Sequence, residues 1–330
     1  MATAQGATGR QPDAVLFTDA AGCAARARRP LVVVGPTASG KSEIAMGVAR
    51  LIGGAEIVTL DSMQIYRGMD IGTATPTAAD QSEVRHHLID LVEVSEEFAV
   101  AEFQARAAAV IDDIRDRGAV PVLVGGTGLY VRAVIDRLQI PGRYPAIRAG
   151  LEAEPDTGAL YRRLAALDPV ASGRMEPANR RRIVRALEVT IGSGRPFSSY
   201  GSGLTHYPPT PFVQVGLRWD RDRLDDRIAV RYQRQMADGF LDEVRSLAEQ
   251  PISRTAAQAL GYKELLAHVQ GQASLEEALD WAVARTRRFA RRQERWFRRD
   301  PRIRWLVAPA APCEAVAVWD EAISAGPSRN

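Results

Sequence analysis

The stretch LVVVGPTASGKS, from Leu31 to Ser42, decides the fold class. Its aliphatic start is typical of a strand buried on both faces of a parallel sheet. The residues that follow fit the pattern G-x-x-x-x-G-K-S/T, in which a glycine-rich loop and a helix N-terminus bring backbone N–H groups to a phosphate. The stretch therefore predicts a phosphate-binding loop (P-loop) between a strand and a helix, but it does not identify the phosphate ester.

Further segments extend this strand–loop–helix unit into a sheet. Buried strands are predicted at EIVTL (56–60), AVPVLV (119–124) and FVQVGL (212–217), with helical spacing at 42–51 and 98–117. Strands that alternate with helices predict an α/β fold, a P-loop parallel sheet core with helices on both faces.

Two regions depart from this alternation. Residues 145–205 contain helical segments and no clear strand, which predicts a helical insertion domain, and 221–249, 255–269 and 274–299 predict a helical C-terminal part. We expect 30–144 together with 206–310 to form the core with its C-terminal helices. We expect 1–29 to be a disordered tail and 311–330 a second tail.

Composition narrows the class of protein. The chain has 330 residues, 46% of them hydrophobic, and only two cysteines, which excludes a disulfide framework. No apolar run approaches the roughly 20 residues needed to span a bilayer. We therefore expect a cytoplasmic enzyme with no membrane partner.

Charge is distributed unevenly. The net charge is +3, yet residues 285–299 contain eight arginines and one acid, so this segment carries +7. Such a stripe is typical of a surface that binds a polyanion, and the alternative is a solvated helix face. A second basic edge, NRRRIVR (179–185), begins a helix in the predicted insertion.

Two further features follow predicted strands, where ligand sites of parallel sheets lie. Asp61 could hold Mg²⁺, act as a general base or cap the next helix. The turn Gly125–Gly128 could meet an anion through its amides and the Thr127 hydroxyl. Strand 119–124 does not end in the aspartate that nucleotide hydrolases often use for Mg²⁺, which argues against routine ATP hydrolysis.

Taken in order, seven motifs resemble the tRNA dimethylallyltransferases, also called tRNA isopentenyltransferases, of the bacterial type. The resemblance covers about residues 30–306. The motifs are GPTASGKS (35–42), DSMQIYRGMDIGTATP (61–76), HHLID (86–90), VGGTGLY (124–130), NRRRIVRALEV (179–189), QALGYKE (258–264) and TRRFARRQERWFR (286–298).

The resemblance implies an activity and a set of roles. The family transfers a dimethylallyl group from dimethylallyl diphosphate to the exocyclic amine of the adenosine 3′ to the tRNA anticodon, with Mg²⁺ as cofactor. By resemblance, Asp61 is the general base, Thr127 lines the channel where the substrates meet, and Arg231 helps to hold the diphosphate. The diphosphate would lie on Gly35, Pro36, Thr37, Ala38, Ser39, Gly40, Lys41 and Ser42, with Mg²⁺ at Ser42.

The resemblance also implies contacts with the tRNA anticodon stem-loop. The matching residues are Asp61, Ser62, Met63, Gln64, Thr127, Arg148, Arg181, Arg182, Arg185, Gln258, Gly261, Tyr262 and Lys263. One departure is Thr75, where the family commonly has lysine. We expect a monomer. Two alternatives stay open from the residues: an ATP-dependent small-molecule kinase and a non-catalytic RNA-binding module.

Overall fold

The computed structural model describes residues 20–201 and 203–325. Within them the chain forms two compact units. The first contains the described residues up to 98, 106–131 and those from 210 onward, and the second contains 99–105 and 132–209. The predicted insertion, 145–205, lies inside the second unit, which begins earlier in the chain.

The first unit is built on a six-stranded sheet in which all neighbours run parallel, in the order β3-β2-β4-β1-β5-β6. Its strands are β1 Leu31–Val34, β2 Ala55–Thr59, β3 His86–His87, β4 Val120–Gly125, β5 Val213–Arg218 and β6 Ile303–Val307. The predicted fold class is confirmed. The edge strands β3 and β6 were not predicted, because one has two residues and the other is interrupted by Arg304 and only partly buried.

Fourteen α-helices occur in the described residues. They are α1 Ala20–Arg28, α2 Lys41–Ile52, α3 Ala78–Glu83, α4 Val100–Asp116, α5 Gly128–Ile135, α6 Pro145–Ala153, α7 Thr157–Leu167, α8 Pro169–Ser172, α9 Arg180–Ser193, α10 Arg221–Ala237, α11 Phe240–Ala248, α12 Tyr262–Val269, α13 Leu275–Phe297 and α14 Pro312–Ser324. Among the described residues, no helix has the length and apolar character that crossing a bilayer requires.

Two predicted helices were wrong in extent. The predicted helix 221–249 is two helices, since Gly239 adopts φ 96° between α10 and α11 and so ends the first helical path. The predicted helix 255–269 is a short 3₁₀ turn, Ala256–Gln258, followed by α12. Gly261, with φ 83°, separates them.

Both predicted tails were wrong where the structure describes them. Residues 1–19 and 326–330 lie outside the described residues, but 20–28 form α1 and 312–324 form α14. Trp319 of α14 is fully buried in the core between α2 and the sheet, and its indole N–H donates to the Arg29 carbonyl at 2.7 Å. Nη2 of Arg26 in α1 donates to both carboxylate oxygens of Asp320, at 2.7 and 2.9 Å.

The second unit has a core of its own. Helices α6, α7 and α9 contribute Leu151, Leu160, Leu164, Ile183 and Leu187, all of them buried. The side chain of Asn179 accepts a bond from the Arg182 backbone N–H and so caps the N-terminus of α9, the helix predicted to begin at 179–185.

Candidate active site

The phosphate-binding loop lies where the sequence predicted it, between β1 and α2. Gly40 adopts φ 86°, a left-handed conformation that glycine takes without strain, and α2 begins at the next residue. The loop therefore leads directly into a helix N-terminus, whose partial positive charge favours an anion. Ser39 is buried and Ser42 is exposed on the first turn of α2.

Two side chains that the sequence analysis missed hold the loop from the strand β5 side. The indole N–H of Trp219, just after β5, donates to the Ser39 carbonyl at 2.9 Å. Nε of Arg227 in α10 donates to the Ala38 carbonyl at 2.8 Å, and its guanidinium lies 4.5 Å from the centre of the Trp219 ring. The stacked pair fixes two consecutive peptide units of the loop.

Two cations and one carboxylate converge on the loop. Nζ of Lys41 donates to the Pro36 carbonyl at 2.7 Å. Burial lowers the pKa of Lys41 from 10.5 to about 8, an effect that the Asp61 carboxylate opposes and the Arg231 guanidinium reinforces. Arg231, from α10, donates to the Thr37 hydroxyl at 3.4 Å and to the Gly72 carbonyl at 3.1 Å. Burial lowers the pKa of Arg231 too, but a guanidinium stays charged at neutral pH.

Asp61 follows β2 and Thr127 follows β4. These strands are neighbours and run parallel, so both residues lie at the carboxyl ends of the strands. One oxygen of the half-buried Asp61 carboxylate accepts the Met63 backbone N–H at 2.8 Å. The hydroxyls of Ser62 and Thr127 lie 3.3 Å apart. The structure thus places the predicted base and the predicted channel residue at the same end of the strands as the phosphate loop.

The turn Gly125–Gly128 is shaped by close approach. A Cβ on Gly126 would lie 2.7 Å from Nε2 of Gln293, and one on Gly128 would lie 2.2 Å from the Trp296 ring. Both neighbours belong to α13. Glycine is required here because the helix contacts the backbone of the turn directly.

The segment 70–74 is held by polar side chains, of which Gln64, Gln235 and Tyr262 are buried and Glu243 is half-buried. The Glu243 carboxylate accepts the backbone N–H groups of residues 70, 71 and 72 at 2.9, 2.7 and 3.2 Å. It also accepts the Tyr262 hydroxyl at 2.6 Å, and burial, together with this carboxylate, raises the pKa of Tyr262. Gln235 donates to the Ile71 carbonyl at 2.6 Å, and Gln64 donates to the Ala74 carbonyl at 2.8 Å.

Three of the residues matched to tRNA contacts therefore face the protein interior. All three are buried. Gln64 donates to the Ala74 carbonyl, the Gly261 backbone N–H donates to Glu264 at the start of α12, and the Tyr262 hydroxyl donates to Glu243. Gln258 and Lys263, by contrast, are exposed. Thr75, the residue that departs from the family pattern, has its hydroxyl 2.8 Å from that of Thr73.

The four arginines of the second unit that match tRNA contacts divide into two groups. Arg181 and Arg182 are exposed at the start of α9. Arg185 binds the buried Glu188 at 2.9 Å, and Arg148 binds Glu152 at 2.8 Å and lies 3.5 Å from Glu188. The second group therefore stabilises the local fold.

The basic stripe of α13 divides in the same way. Arg285 binds Glu264 at 2.8 Å, and Arg287 and Arg291 lie within 4 Å of Asp225. Four more arginines, three in this helix and one just after its C-terminal cap, are exposed on one side and form no carboxylate ion pair within the described chain; they are Arg288, Arg292, Arg295 and Arg299. The exposed part of the stripe begins at Arg288.

The family model described as IPP transferase matches residues 64–300, which is more than half of the chain. The chain belongs to the IPP transferase family. The resemblance found from the sequence is thereby confirmed.

Named relatives of this IPP transferase chain agree with one another. It is 49% identical over 291 residues to the tRNA dimethylallyltransferase of Kineococcus radiotolerans, covering 85% of this chain and 91% of the relative. It is 48% identical over 290 residues to the tRNA dimethylallyltransferase of Streptomyces coelicolor, covering 86% and 92%.

Solved structures match the IPP transferase fold. The full-length tRNA isopentenylpyrophosphate transferase from Bacillus halodurans is 37% identical with a TM-score of 0.65, covering 89% of this chain and 95% of that one. A eukaryotic dimethylallyltransferase acting on tRNA, 24% identical with a TM-score of 0.73, covers 91% of this chain and 80% of its own and shows the same fold.

The phosphate loop of this IPP transferase has few side chains that could contact a magnesium ion directly. Within the described residues, no cluster of three or more His, Cys, Asp or Glu side chains could hold a metal alone. The exposed Ser42 hydroxyl, on the first turn of α2, is an oxygen donor beside the loop. Mg²⁺ commonly takes one or two protein oxygens and fills its shell with phosphate oxygens and water, so this sparse set suits it.

Proposed function

We propose that this chain transfers a dimethylallyl group from dimethylallyl diphosphate to the exocyclic amine of the adenosine 3′-adjacent to the anticodon in tRNAs, and releases diphosphate. One observation carries the proposal: Asp61, a carboxylate suited to take a proton, lies beside a phosphate loop whose cations, Lys41 and Arg231, suit a leaving diphosphate. The named relatives act on tRNA, which agrees with this arrangement.

The loop side of the site would bind the leaving group. The amides of Gly35–Ser42, the Lys41 ammonium and the Arg231 guanidinium neutralise the negative charge that grows on the diphosphate as the allylic C–O bond breaks. The Ser42 hydroxyl would hold Mg²⁺, which would supply further charge neutralisation. Because these groups are in place before the reaction, they favour departure without reorganisation.

The Asp61 side would receive the nucleophile. The target adenine must leave the stacked anticodon loop, at a cost of a few kcal/mol, before its amine can reach the prenyl carbon. The amine attacks that carbon as the bond to diphosphate breaks, and Asp61 takes the proton that the new C–N bond makes acidic. Thr127 would line the passage between the two substrates. We propose a single displacement with no covalent enzyme intermediate.

Exposed basic residues would bind the tRNA backbone. Arg181 and Arg182 on α9, Lys263 on α12 and the four exposed arginines of α13 have no carboxylate ion-pair partner within the described chain, so they can neutralise phosphates. Arg148 and Arg185 would have to exchange Glu188 for RNA, so we assign them a supporting role. Gln64, Gly261 and Tyr262 would act on tRNA by holding the loops that surround Asp61.

The kinase alternative makes a different prediction for binding. The family and its named relatives support the prenyl transferase and not the kinase. A competition between labelled ATP and dimethylallyl diphosphate tests it directly. We expect saturable binding of the prenyl diphosphate. Saturable binding of ATP with no binding of the prenyl diphosphate would reject the proposal.

We further propose that the protein is a monomer and acts in the cytoplasm, where tRNA is processed.

A non-catalytic RNA-binding module is tested by Asp61→Asn. We expect this variant to lose transfer while its tRNA affinity stays within about twofold of the wild type, because Asp61 contributes little to phosphate contacts. Full transfer activity in the variant would remove Asp61 as the base.

A further inference from the structure

Gln293 is a buried polar residue on the inner side of α13. It continues a stripe of buried residues, Ala282, Thr286, Ala290 and Phe297, and is itself 8% exposed. A buried amide is costly unless both of its ends are hydrogen-bonded. A buried position in this stripe would favour an apolar side chain, so the glutamine needs an explanation.

Both ends of this amide are bound, and each binds a different active-site loop. Oε1 of Gln293 accepts the Thr37 backbone N–H of the phosphate loop at 2.9 Å. Nε2 donates to the Gly126 carbonyl, in the turn that carries Thr127, at 2.8 Å. These two loops follow β1 and β4, which are neighbours in the sheet. One side chain therefore sets the spacing between them.

Each partner of Gln293 is also close to a cation of the site. The Thr37 hydroxyl accepts a bond from Arg231 at 3.4 Å. A Cβ on Gly126 would lie 3.4 Å from Nζ of Lys41. A shift of either loop would consequently displace a group that faces the leaving diphosphate.

We propose that Gln293 is a positioning residue for the transfer step, which couples the phosphate loop to the Gly126–Thr127 turn. It touches neither substrate, and acts by keeping the leaving group and the Thr127 side of the channel in register. The same helix presents Arg292 and Arg295 to solvent. Helix α13 would thus bind tRNA phosphates with its outer face and order the catalytic loops with its inner face. This inference rests on the proposed function.

The first test replaces the amide with an apolar side chain of similar size. In Gln293→Leu we expect kcat to fall by about 100-fold, the loss that a displacement of about 1 Å can cause, while KM for tRNA changes less than about twofold. The matched control is Gln214→Leu. Gln214 is 2% exposed in β5, away from the loops, and its Nε2 has no hydrogen-bond partner among the described residues. We expect the control to keep the wild-type kcat.

The second test keeps one hydrogen bond and makes the other depend on pH. In Gln293→Glu the introduced carboxylate still accepts from Thr37, but it repels the Gly126 carbonyl until it is protonated. We expect the ratio of variant to wild-type kcat to rise as the pH falls from 8 to 6. A residue with a purely structural role would not give this pH-dependent rescue.

Three outcomes would overturn the proposal. They are a kcat of Gln293→Leu within about twofold of wild type, an equal loss in Gln214→Leu, or a flat pH ratio in Gln293→Glu. A wild-type protein that does not modify tRNA would instead reject the proposed function. In that case the binding of inorganic diphosphate still tests the role of Gln293. We expect Gln293→Leu to bind diphosphate at least threefold more weakly than Gln214→Leu does. Equal binding by the two variants would overturn the role.

Discussion

The lowered pKa of Lys41 predicts that the phosphate loop binds diphosphate with uptake of a proton. The free ammonium has a pKa of about 8, because it is buried. A bound diphosphate places negative charge beside it and returns the pKa toward its ordinary 10.5. Above pH 8 the free protein is therefore mostly neutral at Lys41, while the complex keeps the proton. Affinity must fall as the pH rises.

The size of the effect follows from these two pKa values. Lys41 is about nine-tenths protonated in the free protein at pH 7 and about one-tenth at pH 9. The dissociation constant for inorganic diphosphate should therefore rise about tenfold between pH 7 and pH 9 through this group alone. Proton uptake on binding should be about 0.1 per site at pH 7 and about 0.9 at pH 9.

Isothermal titration calorimetry measures both quantities, in pairs of buffers with different ionisation enthalpies and at constant free Mg²⁺. Diphosphate has ionisations of its own, so the matched control is Lys41→Arg, in which the guanidinium stays charged throughout this range. The wild type should take up nearly one proton more than the control at pH 9. Equal uptake by the two proteins, with parallel affinities, would refute a buried Lys41 as the pH-sensitive cation.

Three further predictions concern other parts of the molecule. Asp61→Asn should lower kcat by at least about 100-fold with tRNA affinity unchanged, as measured by single-turnover transfer and filter binding. Replacing Arg288, Arg292 and Arg295 by alanine should reduce the salt dependence of tRNA binding by about two to three units of slope. The matched control replaces Arg50, Arg67 and Arg304, which are exposed but ion-paired, and removes the same charge. It should leave the slope nearly unchanged. Equal slopes in the two triple variants would mean that the α13 stripe is only a solvated face. Glu243→Ala should lower the free energy of unfolding by about 2–4 kcal/mol, because the loop 70–72 loses its acceptor, whereas Asp242→Ala, which breaks only a surface ion pair, should cost less than about 1 kcal/mol in the same urea titration.

Features that depend on local sequence were predicted well. The phosphate loop and the buried strand before it are contiguous, and their glycines and aliphatic residues are each required by the local backbone. The same holds for the helix that was predicted to begin at 179–185. The four central strands were found because a strand covered on both faces is apolar throughout.

Features that depend on distant partners were missed. Helix α14 lies in the segment predicted to be a tail, although Ala315, Trp319 and Ala322 have helical spacing, a signal that could have revealed it. The sequence shows Gln293 only as part of a basic segment, because its two partners lie 256 and 167 residues away. Glu243 binds a loop about 170 residues away in the chain. Gln64 and Tyr262 matched a motif, and a motif does not reveal whether a side chain faces the substrate or supports the loop that does.

The most direct test of the proposed reaction is mass spectrometry of tRNA nucleosides. Unmodified tRNA is incubated with the purified protein, dimethylallyl diphosphate and Mg²⁺, and then digested. We expect one dimethylallyl group on the adenosine that follows the anticodon, with release of one diphosphate, and no product with the Asp61→Asn variant. An unmodified adenosine, together with phosphate transfer from ATP to a small molecule, would contradict the account.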